Sequence, residues 1–421
     1  MKVIPEAEEE KLTDRGYLSE KISGKGIRYF LEENHTFPSV SIGVFVRSGA
    51  RYEELNHLGI SHFIEHTVFK GTEKRTAFDI SHSIEKAGGE LNAYTSVEYS
   101  LFYVRLLSKD AEIGFDILSD ILSNPTFNKE LIERERGVII EEIQEYYDDP
   151  QDICQTESLK SIWGEDPIAN SALGVEDVVK GISRDDLEHF FKRYFNKDNI
   201  FISISGDMSS SAADNLVDRY FGSFNPTSFV PQVSTPEYNF QERKVSKDNA
   251  QVHLSLTFKG SRLFSDDNLM NSIFTTILGG NMSSRLFQKL REDKGLVYTI
   301  YSYPVKMTDA GATVIYASTM PKYVNSVEQI ILEELELVRK KGFLENEFSD
   351  AKNYITGSII LGLESISQRM QRNGVQGLFL GKIKETDVLM DELNSIQFDQ
   401  FEDYAGRILD SGIGKVLVGK L

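Results

Sequence analysis

A pair of homologous α+β domains, each a mainly antiparallel sheet covered by helices, is the fold class that this sequence predicts, and three observations predict it. The chain has 421 residues, too long for one small core and of the size of two or three domains. Near its middle, FNPTSFVPQVSTPEYNF carries three of the ten prolines, Pro226, Pro231 and Pro236, whose fixed φ and missing N–H groups oppose both helix and central strand. The order of strand and helix patterns before that stretch recurs behind it, and placing Gly88 on Gly295 gives an offset of 207 residues. The expected division is therefore a first domain over 1–225, a linker over 226–242 and a second domain over 243–421.

Each element follows from its pattern. In the first half, the alternation of SVSIGVFVR predicts a strand over Ser39 to Arg47. Helices are expected around Leu58 to Phe69 and over Ala77 to Ala87, the second ended by Gly88-Gly89. Strands Glu90 to Tyr94 and Tyr99 to Leu106 follow, then an amphipathic helix from Asp110 to Leu122. In the second half the same order reads as strand Val252 to Phe258, helices Asp267 to Leu278 and Ser284 to Asp293, strands Leu296 to Tyr303 and Gly311 to Ala317, and a helix from Val324 to Lys340. Residue identities barely match between the halves; the repetition is one of pattern.

Composition excludes several classes of function. With 46 Lys+Arg against 65 Asp+Glu the net charge is −19, so a nucleic-acid backbone would be repelled and cationic peptides attracted. The single cysteine, Cys154, can form no internal disulfide and no thiolate zinc site. The first twelve residues, MKVIPEAEEEKL, place glutamates where a leader would need an apolar stretch, and no run of about 18 apolar residues offers a membrane span. A cytoplasmic protein that binds neither nucleic acid nor membrane is expected.

One constellation carries chemistry. GISHFIEHTVFKGT contains His62, Glu65 and His66 in an H-x-x-E-H arrangement inside a helical pattern. Residues at i, i+3 and i+4 share a helix face, so both imidazoles and the carboxylate converge. Two neutral imidazoles at this spacing suit a divalent zinc ion, and the carboxylate between them can reach a water rather than the metal. A catalytic zinc usually takes a third protein ligand. The best source is the acidic helical segment Lys129 to Tyr147, with Glu130, Glu133, Glu135, Glu141, Glu142 and Glu145. Of these, Glu135 and Glu142 stand two turns apart on nearly one face, so that one could bind metal while the other supports it.

Four stretches together, HFIEHTVFKGT, GGELNAYTS, ERGVIIEEI and GGNMSSRLFQKLREDKGLVY, resemble the pitrilysin/insulysin metallopeptidases, in particular the branch of the mitochondrial processing peptidase beta subunit and its bacterial homologues. The resemblance spans essentially the whole chain. It implies a third ligand about 76 residues past the second histidine, which selects Glu142 over Glu141, and it gives Glu135 the role of a second acidic residue supporting activity. It further implies a substrate-binding edge at Asn92, Ala93 and Tyr94, followed by Thr95, and an Arg/Tyr pair, Arg291 and Tyr298, reaching the active site from the domain without metal. Thr67 stands where relatives often have methionine, and Gly279-Gly280-Asn281 is shorter than the glycine loop of many relatives. At the offset of 207, His62, Glu65 and His66 fall opposite Leu269, Ser272 and Ile273, so only the first domain is expected to hold metal.

What the resemblance implies is a zinc metalloendopeptidase with one Zn2+ per chain, whose two domains close like jaws around a chamber. Its Glu65 would act as general base on short unfolded peptides or presequence-like extensions. Basic peptide substrates are expected from the net charge, and a homodimer from the family. The alternative is a non-catalytic or partner-dependent subunit of a heterodimeric processing peptidase. A more distant alternative is a hydrolase using the same residues on a non-peptide substrate.

Overall fold

The computed structural model describes residues 17–226 and 228–420; the acidic N-terminal run read above lies outside them. The described residues form two compact units, each with its own sheet. Among them no helix is long and apolar enough to cross a membrane.

The first unit holds a six-stranded sheet in the order Lys21–Ile22, Arg28–Glu33, Ile200–Gly206, Ser39–Val46, Ser100–Leu107, Glu90–Thr95. All neighbours are antiparallel except Arg28–Glu33 and Ile200–Gly206, which run parallel. The second unit holds five strands in the order Val297–Lys306, Gly311–Thr319, Val252–Lys259, Gly414–Gly419, Glu242–Ser246. There too a single pair, Gly414–Gly419 with Glu242–Ser246, is parallel. Strands starting at 28, 39, 90, 100 and 200 thus correspond to those starting at 242, 252, 297, 311 and 414. The duplication covers all but the edge strand Lys21–Ile22 of the first sheet, with spacings that vary because the loops differ in length. Gly88 and Gly295 both take left-handed backbone, with φ of 71° and 60°, which explains why a glycine stands at this corner in each half.

Both faces of each sheet are covered. Along Ser39–Val46 every residue after Ser39 is buried, so its alternation separates two kinds of interior and not inside from outside. Val40, Ile42, Val44 and Val46 make one face; Gly114, on helix Ala111–Ile121, packs so closely there that a Cβ would meet Ile42 and Val104. Ser41, Gly43 and Phe45 make the other face, which lies against helix Ile366–Leu380. On that helix a Cβ at Gly374 would run into the Phe45 ring, and one at Gly377 into the Phe201 ring. Ser203 Oγ donates to the carbonyl of Met370 at 2.8 Å, and the Arg47 and Arg28 guanidinium groups donate to the carbonyls of Leu378 and Gly377 at 2.6 and 2.9 Å. These two arginines satisfy carbonyls of the last helical turn.

The second sheet repeats this design. His253, Ser255 and Thr257 are buried on one face of Val252–Lys259, and helix Pro150–Trp163 covers it with Cys154, Ser158 and Ser161, all fully buried. A Cβ at Gly414 would collide with Ser161 Oγ. The opposite face, with Val252, Leu254, Leu256 and Phe258, joins the main apolar core of this unit, which includes Phe274, Ile331 and Phe401.

The two units are not consecutive in sequence. Residues 142–171 belong to the second and 361–389 to the first, so each half of the chain contributes the helix that covers the tight face of the other half's sheet. A division into 1–225 and 243–421 does not anticipate this exchange, because the small residues that permit the close helix–sheet approach carry no periodic signal. The proline-containing stretch runs without helix or strand over 228–241, and the last sequence boundary before the second sheet falls within it, between Gln232 and Val233. One further element differs from expectation: the segment read as a helix from Ser284 to Asp293 is largely π-helical, Phe287–Glu292.

Gly374→Ala is expected to destabilise the protein by about 1–3 kcal/mol through overpacking against Phe45. Gly357→Ala, in helix Glu345–Gly362, where a Cβ would meet nothing within 4 Å, should instead stabilise it by about 0.5–1 kcal/mol. Denaturant or thermal unfolding of the two variants distinguishes these outcomes; equal effects would mean that the close helix–sheet contact is not limiting.

Candidate metal centre

The helix Ile60–Val68 carries the H-x-x-E-H residues, and its apolar side is fixed by Ile60, Phe63, Ile64 and Val68, all buried. It begins two residues later than the apolar pattern, because Gly59 takes φ 95° and turns the chain into the helix. No side chain of the capping residue satisfies the first turn. The buried carboxylate of Glu53 does so from a preceding loop, accepting from the N–H groups of Gly59 at 2.6 Å and Ser61 at 2.9 Å. A carboxylate at a helix N-terminus suits both the orphan donors and the dipole. Burial nevertheless pushes the Glu53 pKa up to about 7, against the pull of these bonds.

The second ligand-bearing element is helix Lys129–Asp148, a single continuous helix. Arg136 places its guanidinium 5.1 Å above the Phe63 ring and donates to the carbonyls of Val179 and Ile182. Glu135 and Glu142, two turns apart on this helix, lie beside the histidines, whereas Glu141 is exposed.

Ligand atoms of His62, His66 and Glu142 all lie within 4.8 Å of one another, and this is the only such group of three or more His, Cys, Asp or Glu residues among the described residues. The Nε2 atoms of His62 and His66 are 3.2 Å apart, with the rings edge to face. Two imidazole ligands on a tetrahedral zinc are separated by roughly 3.3 Å, given metal–nitrogen distances near 2.0–2.1 Å. Burial, with the charge on His66 second, pushes the pKa of His62 down to about 3. His62 is therefore neutral at physiological pH, the form that binds a metal. His66 directs Nδ1 at Glu135 Oε2, 3.4 Å away, an arrangement that leaves Nε2 to the shared point. Glu135 is itself buried and pairs with Lys70, Nζ to Oε1 at 3.0 Å. The donor set and its geometry fit a divalent ion of the zinc type.

Glu65 lies on the same helix, and its Oε2 accepts from the Thr95 hydroxyl at 2.6 Å. Thr95 ends strand Glu90–Thr95, the edge of the first sheet, which pairs only with Ser100–Leu107. Asn92, Ala93 and Tyr94 sit on that edge, Asn92 exposed and the other two half-buried. Arg291 and Tyr298 lie in the second unit. Arg291 is on the π-helical turn with its guanidinium 4.9 Å above the Phe287 ring. Tyr298 is 72% exposed where the register of edge strand Val297–Lys306 is interrupted.

The structure adds residues that the sequence did not single out. Lys70, one turn beyond His66, had a spacing signal, since i+4 places it on the histidine face. Glu53 had none: its bonds cross a loop with no capping-box pattern. Arg136 was hidden among the charges of an acidic helix.

Two family descriptions match the chain. Residues 28–176 match the insulinase peptidase family M16, and residues 181–355 match the peptidase M16 inactive domain. The chain is 34% identical over 393 residues to the uncharacterized zinc protease YmxG of Bacillus subtilis, covering 93% of this chain and 96% of that protein. It is 32% identical over 399 residues to an uncharacterized zinc protease of Mycobacterium leprae, covering 94% and 90%. Among solved structures, a peptidase M16 inactive domain from Pseudomonas fluorescens matches with a TM-score of 0.89 at 18% identity, covering 96% of this chain and 97% of that one. A protease from Helicobacter pylori matches with a TM-score of 0.87 at 19% identity, covering 95% and 98%. The sequence match over nearly the full length, the duplicated fold and the two family descriptions lead to one conclusion: the chain belongs to peptidase family M16, the insulinase family.

Proposed function

We propose that this chain is a zinc-dependent endopeptidase acting on short unfolded peptides or presequence-like extensions. The observation that carries the reading is the convergence of His62, His66 and Glu142, ligand atoms within 4.8 Å of one another, beside a glutamate that is not a ligand, Glu65. The zinc-protease names of the full-length relatives support it. The description "inactive domain" applies to 181–355, a stretch containing none of the three ligands.

In this reading His62, His66 and Glu142 hold one zinc ion per chain, which when bound supplies the Lewis acidity that acidifies water and polarises a carbonyl. Glu65 takes a proton from the attacking water and delivers it to the leaving amine. Glu135 orients His66 through Nδ1 and is held in turn by Lys70. The edge strand at Asn92, Ala93 and Tyr94 pairs with the main chain of an extended substrate, which gives broad sequence tolerance. Arg291 and Tyr298 are assigned as donors to the substrate carbonyl or the tetrahedral oxyanion. A homodimer is part of the reading, with an obligate unlike partner as its alternative. A cytoplasmic location suits a chain whose one cysteine, Cys154, is free and buried.

Glu65→Gln is expected to keep zinc and lose nearly all turnover, measured as metal content beside peptide hydrolysis; turnover near the wild-type rate would remove Glu65 from the role of base. Glu142→Gln should lower zinc content while Glu141→Gln leaves it unchanged, and the opposite pattern would exchange the two neighbours. Because the net charge is −19, KM for a Lys/Arg-rich peptide should rise with ionic strength. A salt-independent KM would contradict charge steering.

A further inference from the structure

A row of three hydroxyl groups leads from the interior of the first unit to Glu65. Thr95 Oγ1 is 2.6 Å from Glu65 Oε2, Ser100 Oγ is 3.2 Å from Thr95 Oγ1, and Ser48 Oγ is 2.9 Å from Ser100 Oγ. Ser48 and Ser100 are both completely buried, so solvent does not reach the far end. Each hydroxyl has one proton to give. Thr95 donates its one proton to the Glu65 carboxylate, which leaves its lone pairs to accept from Ser100, and Ser100 in turn accepts from Ser48. The row is therefore polarised in one direction, and each bond strengthens the next.

From this geometry we infer that Thr95 is a positioning residue for Glu65, with Ser100 and Ser48 behind it; the inference rests on the reading of Glu65 as general base. The hydroxyl fixes one carboxylate oxygen, Oε2, and with it the orientation of the carboxylate. It also restrains rotation of the glutamate side chain, whose entropy would otherwise have to be lost in each turnover. The fixing residue ends the same strand, Glu90–Thr95, whose edge is assigned to substrate. Substrate pairing and base orientation are thereby set by one rigid element, and a peptide seated on the edge meets a base already aligned.

The test uses the zinc-loaded full chain with Thr95→Val, which keeps the shape and removes the hydroxyl, beside Thr95→Ser, which restores it, and Glu65→Gln. The expected result for Thr95→Val is kcat about 10- to 100-fold lower, the effect of losing one hydrogen bond to a charged group, with KM and zinc content unchanged. Thr95→Ser should return kcat to within a few fold of wild type, and Ser100→Ala should show a smaller kcat loss in the same direction. Thr95→Val with wild-type kcat while Glu65→Gln is inactive overturns the inference and leaves the base assignment standing. Glu65→Gln with wild-type turnover instead overturns the base assignment and this inference with it. A Thr95→Val loss that Thr95→Ser does not rescue, or that appears in KM or zinc content, means a structural role and also overturns it.

Discussion

Two imidazole nitrogens held 3.2 Å apart on one buried helix face are the constraint on which the rest of the first unit depends. Two imidazoles so close gain little from each other, and burial already strips His62 of water. The arrangement is maintained from outside: Glu53 secures the start of the helix, Arg136 stacks on Phe63 and ties helix Lys129–Asp148 to the following segment, and Glu135 fixes the ring of His66. Glu53 acts from a preceding loop and Arg136 and Glu135 from helix Lys129–Asp148, so the ligand geometry exists only once these segments have packed together. Preorganisation of this kind keeps the cost of assembling the site out of the metal-binding step.

The duplication shows how one topology can present a pair of histidines on a helix in one copy and none in the other. Five of the six strands of the first sheet recur in the same order in the second, with the same single parallel pair and the same tight face covered by a helix from the other half of the chain. The helix in the second unit that stands where Ile60–Val68 stands in the first is Asn268–Gly279, and its polar positions are Asn268, Asn271, Ser272, Thr275 and Thr276. Two bonds tie this helix to neighbouring strands, Thr313 Oγ1 donating to Asn271 Oδ1 at 2.7 Å and Ser302 Oγ to the Thr275 carbonyl at 2.7 Å. This helix offers no histidine to a metal.

Much of this was legible in the sequence. Strands Ser39–Val46, Val252–Lys259 and Gly311–Thr319 and helix Val324–Lys341 fall within two residues of where their patterns place them, because long apolar periodicities dominate local choices. The i, i+3, i+4 spacing brought His62, Glu65 and His66 to one face without any tertiary information. Glu142 required the family resemblance, since several glutamates of that helix were equivalent by spacing alone. What stayed hidden depended on close approach or on contacts between distant segments. The exchange of helices rests on Gly374, Gly377 and Ser161, whose small size is invisible to a periodicity argument, and Glu53 caps a helix across a loop.

The central claim is that this chain hydrolyses peptides by itself through a bound divalent metal. Its most direct test is incubation of the purified protein with a mixed library of unstructured peptides of about 10–40 residues, with and without a zinc chelator, read by mass spectrometry. The account predicts cleavage that the chelator abolishes and that added zinc restores. Cleavage indifferent to chelation, or none at all from protein with its metal bound, would contradict it.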